Sequence, residues 1–231
     1  MIQNSEQQVQ GSAKVEPRVG SCYRNGWHQM WKYFLELLLI TVIMFALFIP
    51  SSGLSVAEEM VGVGAYFVSI FALVYSVLIL WPIQYGVSFA LLKAARGDRL
   101  AVKDMFAVFQ NYGNAILANL LVGVIIILGF ALLIVPGIIF ACKLAFVPYL
   151  IVERKMEAIE AVKESWRMTR GHAGRIFLLG LLAIPIFIAG FICCIVGVIL
   201  SVIWVELAFA SMYHAVSRGE ARSQLETASP H

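Results

Sequence analysis

The chain has 231 residues, 61% of them hydrophobic and 13% charged, with a formal net charge of +3. A soluble domain carries about 25% charged residues, so this composition cannot clothe a water-facing surface and excludes an ordinary soluble fold. The composition also excludes a nucleic-acid binder, since no basic face is interleaved with exposed aromatics.

From Met1 to about Gly20 the chain is polar and rich in Gln, Ser and Glu, the composition of a disordered tail. Residues 1–26 are too polar for a secretory signal, and the first apolar run, beginning near Phe34, can serve as an uncleaved anchor. Apolar stretches follow at 34–50, 65–92, 115–152 and 176–216. A spanning helix needs about 20 apolar residues, so the first stretch is one short span. The second is one long span in which Pro82 introduces a kink. The third and fourth are too long for one helix each. Pro136-Gly137 breaks the third and the interval from Gly190 to Gly197 breaks the fourth, which makes each a hairpin. The expectation is an all-α integral membrane bundle of six transmembrane helices in three hairpins. It has a tail at 1–20, a membrane domain at 21–216 and a C-terminal tail at 217–231.

Every Lys and Arg except Lys143 falls before the first span, between the second and third, between the fourth and fifth, or after the sixth. The loop at 51–64 has only Glu58 and Glu59. The positive-inside rule then puts both termini in the cytoplasm.

The chain repeats itself. The segments NAILANLL (114–121) and GRIFLLGLL (174–182) open the second and third hairpins, and KLAF (143–146) and ELAF (206–209) recur in their second arms. QYGV (84–87) is a weaker copy in the first. Before the later hairpins lie amphipathic stretches. Met156, Ile159, Val162 and Trp166 share one helical face, and Val102, Met105, Phe106 and Phe109 repeat the pattern. Such helices lie in the headgroup plane with their basic residues toward anionic lipid, which marks Trp166, Arg167, Arg170 and Arg175 as headgroup contacts. Gly171 is placed to end the second stretch. A connector helix packed on its own bundle is the alternative.

The segments DMFAVFQNY, IVPGIIF and FVPYLIVERKMEAIEAVKESWRMTRGH, the last followed by GRIF, are similar to those of bacterial six-span proteins. That family resembles the membrane domain of glycerophosphoryl diester phosphodiesterases, and YciC-like proteins of unknown function look related to it. The similarity covers roughly residues 25–215. In the fused enzymes catalysis belongs to a separate soluble barrel, so the resemblance implies topology and a plasma-membrane location and does not imply phosphodiesterase activity.

No HExxH, GxSxG, Walker or GxGxxG motif is present. His28, His172 and His214 fall at interfaces as solvated side chains, and His231 ends the chain. None has a second ligand at helical spacing, so no metal or cofactor is expected. The four cysteines, Cys22, Cys142, Cys193 and Cys194, form no zinc pattern and read as small apolar side chains.

Polar residues inside the spans remain: Glu36, Gln84, Asn119, Lys143 and Glu206. Glu36, one turn from Lys32, reaches the interface. Lys143 lies about 9 Å below the Pro136-Gly137 turn, within reach of a snorkelling ammonium. Glu206 lies about 12 Å from either end, too deep for a short carboxylate. A central charge costs roughly 2.5–3.5 kcal/mol on the insertion scale. The matching positions of Lys143 and Glu206 in KLAF and ELAF suggest a structural ion pair. Two functions follow as expectations. One is a non-enzymatic membrane component in envelope or lipid homeostasis, or an assembly partner, with membrane lipids, another membrane protein or a second copy as partners. The other is a small transporter or channel using Glu206 and Lys143, although no pair of visibly broken helices marks a substrate site.

Overall fold

The computed structural model describes residues 18–49, 63–192 and 194–228, with the side chains of 194–196 and 222–228 left aside. Most of the amino-terminal tail, the loop at 51–62 and Cys193 lie outside the described residues. Among the described residues there is no strand. The helices are α1 (Val19–Lys32), α2 (Phe34–Phe48), α3 (Val63–Tyr75) and α4 (Trp81–Arg96). They continue as α5 (Tyr112–Leu132), α6 (Ile134–Leu144), α7 (Val147–Glu153), α8 (Ala158–Met168), α9 (Ala173–Ile192) and α10 (Cys194–Ala228). A π-helical turn, Ser76–Leu80, joins α3 to α4, and a 3-10 helix, Val102–Asn111, precedes α5. The last helix continues through much of the stretch assigned to the C-terminal tail.

Five stretches are long and apolar enough to cross a membrane: Gly64–Arg96, Val102–Leu132, Ile134–Glu153, Ala173–Ile192 and Gly197–Ala221. The pair α1 and α2, bent by 90° at Tyr33, makes a sixth if counted as one span. The chain is an all-α, multi-pass membrane protein.

The break in the third apolar stretch comes earlier than expected. Leu133 is extended (φ −170°, ψ 154°), and α6 starts at Ile134, so Pro136 and Gly137 stand in its first turn. Proline is tolerated there because its missing N–H would have had no helical partner. Small residues let the arms meet closely. A Cβ on Gly129 would stand 3.0 Å from the Gly137 Cα, and one on Gly137 would strike the Phe130 ring. The other hairpin turn works alike, with the Gly190 position 2.6 Å from the Gly197 carbonyl.

Two spans are interrupted, the first beside the expected kink at Pro82 and the second at a position the sequence reading did not mark. Pro82 cannot donate to the Leu78 carbonyl four residues back, and the π-helical turn lies immediately before it. The Tyr112 hydroxyl donates to that Leu78 carbonyl instead. In the fourth span Pro148 sits in the first turn of α7, and Ala145–Phe146 separate it from α6. There the Lys143 carbonyl accepts from Ser165 Oγ at 2.7 Å. Gly97 (φ +82°) and Gly171 (φ +80°) adopt the left-handed backbone that closes α4 and follows α8.

The chain divides into two compact units. One comprises the residues up to Phe34, Leu91–Leu100 and those from Met168 onward; the other comprises Leu35–Ala90 and Ala101–Arg167. In the first, α10 packs against α1 and α9. In the second, α5 packs against α6, α7 and the 3-10 helix. Buried side chains concentrate toward the basic ends of the hairpins: Ile83–Ala95, Leu144–Val152 and Ile203–Val216. Toward the opposite turns the side chains are bare, as at Leu132–Val135 and Phe191–Ile192, which is the surface hydrocarbon would cover.

Candidate functional site: three docked juxtamembrane segments

The four-residue repeat marks where an amphipathic segment docks. In the first hairpin, the Met105 backbone carbonyl occupies the place a Cβ on Gly86 would take, so the 3-10 helix lies directly on QYGV. In the second, α8 lies on KLAF. Ser165 holds the Lys143 carbonyl, and the Lys143 ammonium stands 4.6 Å from the centre of the Trp166 ring. The Phe140 ring lies 5.7 Å from the same indole. In the third, α1 lies on ELAF. A Cβ on Gly26 would be 3.3 Å from the Ala208 nitrogen and 3.4 Å from the Leu207 Cβ. Trp204 Nε1 donates to the Tyr23 carbonyl at 2.8 Å, and the Tyr23 hydroxyl donates to the Leu179 carbonyl at 2.8 Å.

Each segment docks by one face and shows aromatic or aliphatic side chains on another. On α8 the buried face is Ala158, Ala161, Ser165 and Met168, while Ile159 is 57% exposed. The larger apolar face read from the sequence is therefore not the packed one; the small residues let the helix approach. On α1, Cys22, Gly26, Gln29 and Met30 are buried, while Trp27 and Trp31 are exposed by 46% and 55%. On the 3-10 helix, Met105 and Val108 are buried and Phe106 stacks on Phe109, both exposed. Aromatic side chains favour the membrane–water interface.

This docking draws Lys143 against α8. Its partner Trp166 neighbours Arg167, which binds Glu164 bidentately (Nη2 to Oε1 at 2.6 Å, Nε to Oε2 at 2.8 Å). Arg154 reaches the same carboxylate at 3.2 Å. Lys143 thus stands beside an exposed charge network, and its ammonium answers to an indole face. Lys143 and Glu206 belong to different units. Within its own unit Glu206 has no hydrogen-bond or ion-pair partner among the described residues.

The remaining residues separate by exposure. Gln84 is exposed, Asn119 is half-buried, and Glu36 is half-buried in the first turn of α2, where the helix dipole favours a carboxylate. Arg167, Arg170 and Arg175 are exposed, and Trp166 is half-buried. His28 is exposed and His172 half-buried, but His214 is buried rather than solvated. Among the described residues no group of three metal-ligating side chains comes together.

Several structural contacts escaped the sequence reading. Asn111 Nδ2 donates to the Ile151 and Met156 carbonyls, both at 3.2 Å, closing the far end of α7. Asn25 bonds the Ala95 carbonyl and Ser211, Arg96 bonds His214 and Gln29 stands beside Gly97, polar contacts that no local pattern announces.

This architecture defines a class: a multi-pass helical membrane protein built from hairpins that each carry a docked amphipathic segment. Residues 30–228 match the family described as Domain of unknown function (DUF7847), and the chain belongs to that family. Comparisons with curated proteins and with solved structures returned no match.

Proposed function

We propose that this chain is a non-enzymatic membrane component that works at the membrane–water boundary. There its three docked segments would gather lipid headgroups, or a membrane-protein partner or second copy, in envelope or lipid homeostasis. The observation that carries the reading is the threefold recurrence of docking on QYGV, KLAF and ELAF, with aromatics left outward at Trp27, Trp31, Phe106 and Phe109. Burial of that kind of surface in the headgroup layer contributes roughly 25 cal/mol per Å². The resemblance to the membrane domain of glycerophosphoryl diester phosphodiesterases supports a bacterial plasma-membrane location, and the basic residues support cytoplasmic termini.

Purification of the full chain in a native-membrane polymer disc, with mass spectrometry of the lipids and proteins retained, tests this. Enrichment of anionic lipid over the bulk membrane is expected. It should fall when Trp27, Trp31, Phe106 and Phe109 are all changed to alanine. A lipid shell identical to bulk in both proteins, with no co-isolated protein, would defeat the proposal.

The transporter reading draws on the interruptions at Ser76–Leu80 and Ala145–Phe146, which lie near Gln84 and Lys143. Discontinuous helices mark substrate sites in many transporters. Ion or solute flux into vesicles carrying the purified protein, abolished by Lys143→Met, would favour it.

A further inference from the structure

The first unit buries a polar cluster assembled from three separate stretches of chain. Asn25 Nδ2 donates at 2.9 Å to both the Ala95 carbonyl and Ser211 Oγ, tying α1 to the end of α4 and to α10. One turn further along α10, His214 Nδ1 accepts from Arg96 Nε at 3.1 Å. A ring nitrogen that accepts carries no proton, so the neutral imidazole holds its N–H on Nε2. Among the described residues that Nε2 has no partner, and neither has Gln29 Oε1. His214 is only 6% exposed and Gln29 only 8%.

Buried polar atoms are nearly always hydrogen-bonded, so two exceptions at groups packed against the consecutive residues Arg96 and Gly97 call for a ligand. The Gly97 corner draws the surroundings together. A Cβ there would stand 3.6 Å from Gln29 Nε2 and 3.9 Å from Lys32 Nζ. The left-handed turn is held by the Tyr33 hydroxyl, which donates to the Gly97 carbonyl at 2.9 Å. Lys32 and Arg218 are exposed cations beside the cluster, and Asp98 is an exposed carboxylate on the turn itself.

We infer that Gln29, Lys32, Arg96 and His214 form a phosphate-binding site. The anionic oxygens would take the His214 Nε2–H and the Lys32 and Arg96 cations. An oxygen that still carries a proton would donate to Gln29 Oε1. An anionic phospholipid headgroup and inorganic phosphate share this chemistry. The inference stands independently of the role proposed for the docked segments.

Thermal unfolding of the full chain in neutral detergent provides the test, with inorganic phosphate, sulfate and chloride compared at equal ionic strength. A parallel series uses discs of phosphatidylcholine with and without phosphatidate. A saturable rise in Tm with phosphate or phosphatidate is expected, because a ligand that binds only the folded state stabilises it. Sulfate, unprotonated at neutral pH, should act more weakly. Arg96→Met and His214→Phe should weaken phosphate binding roughly ten- to a hundredfold. Lys32→Gln, at an exposed position, should weaken it less and leave folding intact. Gln29→Leu should erase the preference for phosphate over sulfate. A response to phosphatidate alone identifies a lipid, and one to soluble phosphate alone identifies a solute. The inference fails if neither phosphate source exceeds the chloride control. It also fails if His214→Phe and Gln29→Leu merely stabilise the protein and leave the phosphate response unchanged.

Discussion

Two guanidinium groups converge on the Glu164 carboxylate. The hydrogen bonds from Arg167 are the main reason its carboxyl is held below the usual range, with the charges of Arg167 and Arg154 adding to them against partial burial. A depressed carboxyl contributes stability above its unfolded pKa, and that contribution disappears as pH falls through the folded value. Wild-type Tm in detergent should therefore drop as pH falls through and below the ordinary carboxylate range. Glu164→Gln should start lower at pH 7, by roughly 0.2–1 kcal/mol for so exposed a pair of arginines, and should lack that part of the acid limb. Parallel pH curves for the two proteins would contradict the assignment. The glycines offer a sharper contrast. Gly86→Ala puts a methyl group into the Met105 carbonyl, and overpacking of that kind costs about 1–3 kcal/mol or more. Gly123→Ala meets nothing within 4 Å and should stabilise α5 by about 0.5–1 kcal/mol. Unfolding of both variants in one detergent series decides this.

At the scale of elements, proline positions and hydroxyl partners form working units. Removing the Tyr112 hydroxyl strands the Leu78 carbonyl, and removing Ser165 Oγ strands that of Lys143; each change should cost about 1 kcal/mol. Pro82→Ala offers Leu78 a backbone donor, so Tyr112→Phe should cost less in that background than alone. Additive losses in the double-mutant cycle would disprove the link. The number of spans and the amphipathic stretches between them could be read from apolar length and period. The turn at Leu133 could not, because proline suits the start of a helix as well as its end. Burial inside the protein was hidden for a related reason. VPYLIV at 147–152 is buried within the protein, and hydropathy does not distinguish a protein interior from hydrocarbon. The packed face of α8 was not legible because two alanines and a serine score as weakly apolar while providing the closest approach.

At the scale of the whole molecule, the recurrence of QYGV, KLAF and ELAF was legible as sequence, but its meaning as a set of docking positions needed contacts distant in the chain. The cluster of Gln29, Arg96 and His214 was hidden for the same reason, since its members come from three far-apart segments. The α1–α10 packing gives a direct test. Cys22 is fully buried one turn before Gly26 on the face of α1 that meets α10. In a background with Cys142, Cys193 and Cys194 changed to serine, Cys22 should resist maleimide in the folded protein. Gly26→Val should lift the helix and make it react. Equal labelling rates would mean that α1 does not depend on that close approach.

The seating of α1 on ELAF also bears on how the protein is made. A ribosome releases the tryptophans of residues 27 and 31 long before Ala208 exists, so the earliest helix must wait through the insertion of every later crossing for its permanent neighbour. Completion of the chain is thus recorded at its beginning. A nascent product that stalls before the last crossing would present an uncovered Cys22 and Met30.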